Sequence, residues 1–190
     1  MRATLGDTAI LMVDANQSLR LDAALELAHA VAPFDLRWLE EPLRIDRPAS
    51  EWQQLAAASA IPLAGGENLR GAELDAAASG TLLRVLQPDM TKWGGLTGNL
   101  PLASAAVGFG KAFCPHVFGG GVALLASLHL LAAVAGDGLL EFDCHPNAGR
   151  ELVVGSLLPV RDGRVPVPQS PGLGAVPDLS GLRRYKSWPA

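Results

Sequence analysis

Apolar positions along this 190-residue chain fall into short unbroken runs separated by stretches of helical periodicity. Ala9-Ile10-Leu11-Met12-Val13 is the first run, the pattern of a strand buried on both faces, and it ends at Asp14-Ala15-Asn16-Gln17. Ser18 is placed to cap a helix whose Leu21, Leu25, Ala28 and Val31 share one stripe, and Pro33 stops it. The plan then repeats. Leu36 to Leu39 predicts a strand ending in Glu40-Glu41-Pro42, and Pro48-Ala49-Ser50-Glu51 opens a helix carrying Trp52, Leu55 and Ala56. Further strands are predicted at 61–64, 82–86, 112–114 and around 139–141. They end at Glu67, Asp89, His116 and Glu141, with helices between them near 71–78, 97–107 and 121–135.

Six strand-then-helix units with short connections call for parallel strands covered by helices. One potentially reactive side chain stands at the C-terminal end of each strand: Asp14, Glu40, Glu67, Asp89, His116 and Glu141, at intervals of 26, 27, 22, 27 and 25 residues. A doubly wound sheet concentrates its functional groups at one switch point, whereas a (β/α) barrel brings every strand end into one ring. The even series therefore predicts an α/β fold of the TIM-barrel type. Six units fall short of the eight that close such a barrel, so residues 1–150 read as a truncated barrel. Residues 151–190 read as an irregular tail. Prolines at 159, 166, 168, 171 and 177 interrupt it, and two extended pieces between Leu152 and Val167 flank a turn at Asp162-Gly163.

Composition narrows the class of partner. At 49% hydrophobic and 18% charged residues the chain has enough apolar surface to fold, and a formal charge of −4 without a basic cluster argues against nucleic acid or an anionic membrane. The run from Gly119 to Gly136 contains Ser127 and His129 and reads as a buried helix. Cys114 and Cys144 form no CxxC pattern and no signal-like segment opens the sequence, which makes the cytoplasm the expected setting and a small molecule the expected partner.

Three carboxylates at the ends of three successive strands, Asp14, Glu40 and Glu67, converge if the strands are neighbours, and their repulsion then needs a cation. Hard oxygen ligands select Mg²⁺, with Mn²⁺ as the alternative. Each carboxylate read singly is as easily a solvated or capping group; the phase of all three is what points to a metal. Asn16 fits either a ligand-supporting role or a turn. Asp89 and His116 end the next two strands, so a carboxylate there can fix one imidazole nitrogen and leave the other as a general base or acid. His29, His129 and His145 read as structural. Lys92 fits either an anion partner or an ion pair. Glu141 in its apolar surround fits a protonated hydrogen-bond donor or a salt-bridged carboxylate. Gly119-Gly120-Gly121 before a helix fits a phosphate loop or close packing.

Val13-Asp14-Ala15-Asn16-Gln17, Trp38-Leu39-Glu40-Glu41-Pro42, Gly65-Gly66-Glu67-Asn68, Pro88-Asp89-Met90-Thr91-Lys92-Trp93-Gly94-Gly95, Pro115-His116 and Leu140-Glu141 together resemble, in order, the motifs of the enolase superfamily, in its mandelate racemase and muconate lactonizing enzyme branch. The resemblance runs from about residue 7 to 175. It implies that the chain covers strands three to eight of the barrel, that Asp14, Glu40 and Glu67 bind Mg²⁺, that Asp89 and His116 form an acid/base dyad, and that Glu141 hydrogen-bonds the substrate carboxylate. The histidine dyad resembles that of mandelate racemase and the acid-sugar dehydratases. The implied reaction begins with loss of the proton α to a carboxylate and leads to an epimer or a dehydrated keto acid. It also implies that an N-terminal capping domain and two barrel strands, the second carrying a lysine base, are missing, with the tail belonging against that cap. One-base dehydration suits such a chain better than two-base racemisation, and unpaired sheet edges make a homo-oligomer the expected assembly. Two other readings are an inactive or partner-dependent fragment and a barrel enzyme for a phosphorylated substrate.

Overall fold

The computed structural model describes residues 1–155 and 158–185. Residues 156, 157 and 186–190, part of the expected tail, lie outside the described residues. After a single helical turn, α1 (Arg2–Leu5), five strands alternate with helices: β1 (Leu11–Asp14), α2 (Leu21–Val31), β2 (Leu36–Glu40), α3 (Ala49–Ala58), β3 (Leu63–Gly65), α4 (Ala72–Ser79), β4 (Val85–Leu86), α5 (Gly95–Gly108), β5 (Ala112–Phe113) and α6 (Gly121–Ala133). The sheet order is β1-β2-β3-β4-β5, and every pairing is parallel. Strands added always on the same side make a barrel arc; a doubly wound sheet would reverse direction. The fold is α/β and matches a partial TIM-type barrel.

Alternation along the strands separates two apolar layers. Leu39, Leu63 and Leu86 pack with Ala24, Leu55 and Leu74 of the surrounding helices, all 2% exposed or less. Burying one such leucine contributes about 1.5–3 kcal/mol, so this layer is what fixes the strands in register. Trp38, Ala64, Val85 and Cys114 form a separate cluster on the other face, the inside of the arc. Glu40, two residues after Trp38, falls in the same phase. Among the described residues no helix is long and apolar enough to cross a membrane.

Three local expectations are corrected. Ser18 does not cap α2; its hydroxyl bonds the Ala15 carbonyl at 2.6 Å, and Arg20 occupies the N-cap without a side-chain bond. Leu152 belongs to a helix, α7 (Ala148–Val154), capped by Asn147, whose side chain accepts the Arg150 N–H. The turn at Asp162-Gly163 does form, with φ of 50° and 70° and a bridge between Arg161 and Arg164. The sixth strand does not join the sheet. Leu139 donates its N–H to Cys114 Sγ at 3.2 Å, and a side chain on Gly138 would stand 1.9 Å from the Phe113 carbonyl oxygen. The segment therefore crosses the end of β5 at a distance only glycine tolerates. Gly138→Ala is expected to cost about 1–3 kcal/mol of stability, read as a lowered urea midpoint.

Described residues of the tail pack on α6. Val154, Leu158, Val165, Val167 and Leu173 surround Leu124, Leu125 and Leu128. Gly121 is needed at that contact, because a Cβ there would lie 2.6 Å from the Val153 side chain. Helix packing thus accounts for the last glycine of the triplet. A final short helix, α8 (Leu179–Leu182), is capped by Asp178.

Candidate active site

The strand ends turn carboxylates toward one rim because each strand is stopped sharply there. Asp14 and Glu40 are the last residues of β1 and β2 and are register partners. Pro42 follows Glu40, and Gly66, at φ 135°, swings the chain so that Glu67 comes over the end of β3. Its missing side chain is required, since a Cβ would stand 3.1 Å from the Gln87 nitrogen of the next strand. Asp89 and His116 follow β4 and β5 after prolines at 88 and 115.

His116 is the residue that binds this rim together. Its Nδ1 lies 2.9 Å from Asp89 Oδ2 and its Nε2 2.5 Å from Glu67 Oε2. Asp89 is fixed in turn by the backbone N–H and hydroxyl of Thr91, at 2.7 and 2.6 Å on Oδ1. Burial works against a charged imidazole here, yet the hydrogen bonds to Asp89 and Glu67 outweigh it and push His116 up to about 10. Glu67 is held well below the usual carboxylate range by His116 and by Lys92, whose ammonium is 3.0 Å from the same Oε2.

Glu40 is controlled differently. The Trp38 indole N–H and the Gln87 amide both donate to its Oε2, at 3.1 and 2.8 Å. Burial nevertheless raises its pKa, and the negative charges of Asp14 and Glu141 raise it further. The neighbouring Glu41 is only 3% exposed and accepts two bonds from the Asn68 amide, at 3.2 and 3.0 Å. Burial and the charge of Glu67 push it up to about 7. Glu141 arrives on the segment that crosses β5, accepting the Val117 N–H at 2.7 Å on Oε2, and burial raises its pKa as well. Asp14 Oδ1 accepts the Asn16 N–H at 2.7 Å, which places Asn16 in a turn.

Asp14, Glu67, Asp89, His116 and Glu141 share one cleft of about 700 Å³. Glu40, tied to Trp38 and Gln87, is set back from it. Among the described residues the one three-membered group of His, Cys, Asp and Glu side chains whose ligand atoms all lie within 4.8 Å of one another is Asp143, Cys144 and His145. Asp14, Glu40 and Glu67 stand further apart, with Glu67 paired to His116 and Lys92. The donor set still suits a hard divalent cation. All three are carboxylates at the ends of adjacent strands, burial and then the charge of Asp14 raise Glu40, and the buried Oε1 of Gln87 beside Glu40 has no hydrogen-bond partner.

The sequence pattern picks out Asp14, Glu40, Glu67, Asp89, His116 and Glu141, but not the residues that orient them. Trp38, Glu41, Asn68, Gln87 and Thr91 look like ordinary strand and turn residues in sequence. Gln87 carries a signal that goes unused there: an amide directly after an apolar strand.

Comparison with known proteins gives a consistent picture. The family model described as "Enolase C-terminal domain-like" matches residues 1–180. A D-galactarolactone cycloisomerase from Agrobacterium fabrum is 31% identical over 98% of this chain and 51% of its own length; dehydratases of acid sugars are also among the curated relatives. A solved mandelate racemase/muconate lactonizing enzyme from Bordetella bronchiseptica superimposes with a TM-score of 0.90 at 48% identity, over 96% of this chain and 52% of that one. A racemase from Streptomyces coelicolor, solved with bound magnesium, gives 0.84 at 32% identity, over 96% and 48%. The chain spans about half the length of the curated relatives it matches. Its motifs, its barrel arc and these matches agree: the chain belongs to the enolase superfamily, in the mandelate racemase and muconate lactonizing enzyme branch.

Proposed function

We propose that this chain carries the metal-binding and acid/base half of a Mg²⁺-dependent enzyme that removes the proton α to the carboxylate of an acid sugar. The observation that carries this reading is His116, fixed at Nδ1 by Asp89 and turned with Nε2 into the cleft against a second carboxylate. Asp14, Glu40 and Glu67 would hold Mg²⁺, with Mn²⁺ as the substitute. The cation, when bound, supplies positive charge where a substrate carboxylate gains negative charge. His116 would act as the base through Nε2, the nitrogen turned into the cleft, while Asp89 holds Nδ1. Glu141, held by the Val117 N–H, would hydrogen-bond the substrate carboxylate.

Among the outcomes of such a deprotonation, loss of a β-hydroxyl is the reading best supported here. It needs one base, and His116 lines the cleft with Nε2 against Glu67 and Nδ1 on Asp89. The relatives that act as dehydratases support the same choice. We place the reaction in a cytoplasmic homo-oligomer acting on a small carboxylate, with residues 151–190, of which 156, 157 and 186–190 lie outside the described residues, serving as a tail against a cap domain.

The test is deuterium incorporation at Cα. In D₂O with Mg²⁺, galactarate-class acids incubated with the enzyme containing this chain are expected to exchange that proton or form the keto acid; no exchange across the class would overturn the proposal. Gln87→Leu, which removes one donor from Glu40, is expected to weaken Mg²⁺ binding about 10- to 100-fold in a calorimetric titration while leaving the fold intact.

A further inference from the structure

Next to the strand-end carboxylates, the segment after Glu141 assembles a second and chemically different set of donors. Asp143, Cys144 and His145 are consecutive, and a carboxylate oxygen, the thiol sulfur and an imidazole nitrogen all lie within 4.8 Å of one another. Consecutive side chains on an extended backbone point to opposite sides, so a specific bend is required. Asp143 Oδ1 forms it, accepting the His145 backbone N–H at 2.9 Å and facing its Nδ1 at 2.8 Å.

The bend is also clamped from within. Arg150, on α7 and only 8% exposed, donates from Nη1 to the Asp143 carbonyl at 2.6 Å and from Nη2 to the His145 carbonyl at 2.9 Å. Its guanidinium lies 5.5 Å from the centre of the Phe142 ring and 3.7 Å from Asp143 Oδ2. A buried arginine fastening the two residues that flank Cys144 is a built arrangement, and it leaves two of the donors open to solvent: Cys144 is exposed and the His145 side chain is 79% exposed, while that of Asp143 is 12% exposed. Asp143 Oδ1 and His145 Nδ1, 2.8 Å apart, are spaced as two ligands of one ion, which binds as the proton between them leaves.

Sulfur, nitrogen and oxygen together select a different ion from an all-carboxylate set. Thiolate and imidazole favour Zn²⁺ and its neighbours over Mg²⁺, and three protein donors leave one position open. The same three residues line the cleft that holds Asp14, Glu67, His116 and Glu141.

We propose that Asp143, Cys144 and His145 bind a thiophilic divalent cation such as Zn²⁺ on the wall of the candidate active cleft, separately from the carboxylate cluster. His145 is thereby a ligand, not merely structural as its sequence context indicates. The proposal does not depend on the function argued above, and its test does not use turnover. The chain is titrated with Co²⁺ in excess Mg²⁺, following the near-ultraviolet thiolate-to-cobalt absorption, and Zn²⁺ is then added. One saturable site is expected, displaced by Zn²⁺ and weakened at least tenfold in both Cys144→Ser and His145→Ala, with folding checked by circular dichroism. Cys114→Ser and Glu40→Gln are expected to leave it unchanged, since Cys114 is 3% exposed and Glu40 belongs to the other cluster. Absence of the band, its survival in either Cys144→Ser or His145→Ala, or its loss in Cys114→Ser would overturn the site.

Discussion

Replacing His116 with Asn is expected to slow α-proton exchange by about 10²- to 10⁴-fold, the usual contribution of a positioned general base. Asn retains a polar side chain of similar size near Asp89 but has no nitrogen that takes up a proton. The loss should fall on kcat rather than KM, because His116 acts on the proton and other groups hold the carboxylate. Asp89→Asn separates positioning from chemistry. It leaves the imidazole in place but removes the carboxylate that fixes Nδ1, so a smaller loss of kcat is expected, with a shifted pH profile. Exchange rates unchanged in His116→Asn would mean that the proton leaves to another group.

Lys111→Met is expected to destabilise the fold by about 3 kcal/mol or more, without touching the cleft. Lys111 is 6% exposed, and its ammonium donates to the Gly80 carbonyl at 2.6 Å and to the Leu83 carbonyl. Those carbonyls belong to the turn between α4 and β4, at the end of the barrel away from the site. Burial pulls the lysine pKa down, so the charge is held at a cost that only its partners offset. Methionine keeps the apolar stem and leaves two carbonyls unpaired; each hydrogen bond to a charged group contributes about 1.5–3 kcal/mol. Chemical denaturation measures this directly. A loss below about 1 kcal/mol would show that water replaces the ammonium there.

Much of this molecule was legible in its sequence, and the exceptions share a cause. The unbroken apolar runs and the even strand-end series led to the barrel arc because strand phase and unit length depend on local pattern. Asp89 and His116 met as expected because adjacent parallel strands must bring their ends together. The apolarity of Leu139 to Glu141 predicts a sixth strand, but whether such a segment enters a ladder depends on where Gly138 crosses Phe113. That crossing is a tertiary contact without a local signature. Ser18 had the chemistry of a cap, yet the Ala15 carbonyl competed for its hydroxyl. Likewise no spacing rule shows that Trp38 and Gln87 converge on one oxygen of Glu40, or that Arg150 reaches back to the carbonyls of Asp143 and His145.

The claim on which the functional account rests is that Asp14, Glu40 and Glu67 make one divalent-cation site. Thermal unfolding of the chain with and without Mg²⁺, beside Glu40→Gln, tests it most directly. A ligand bound only to the folded state adds about 2.7 kcal/mol at a hundredfold excess over its dissociation constant. The account predicts a midpoint that rises with Mg²⁺ in the native chain and stays flat in Glu40→Gln. A native midpoint indifferent to Mg²⁺, or a rise that survives the substitution, would contradict it.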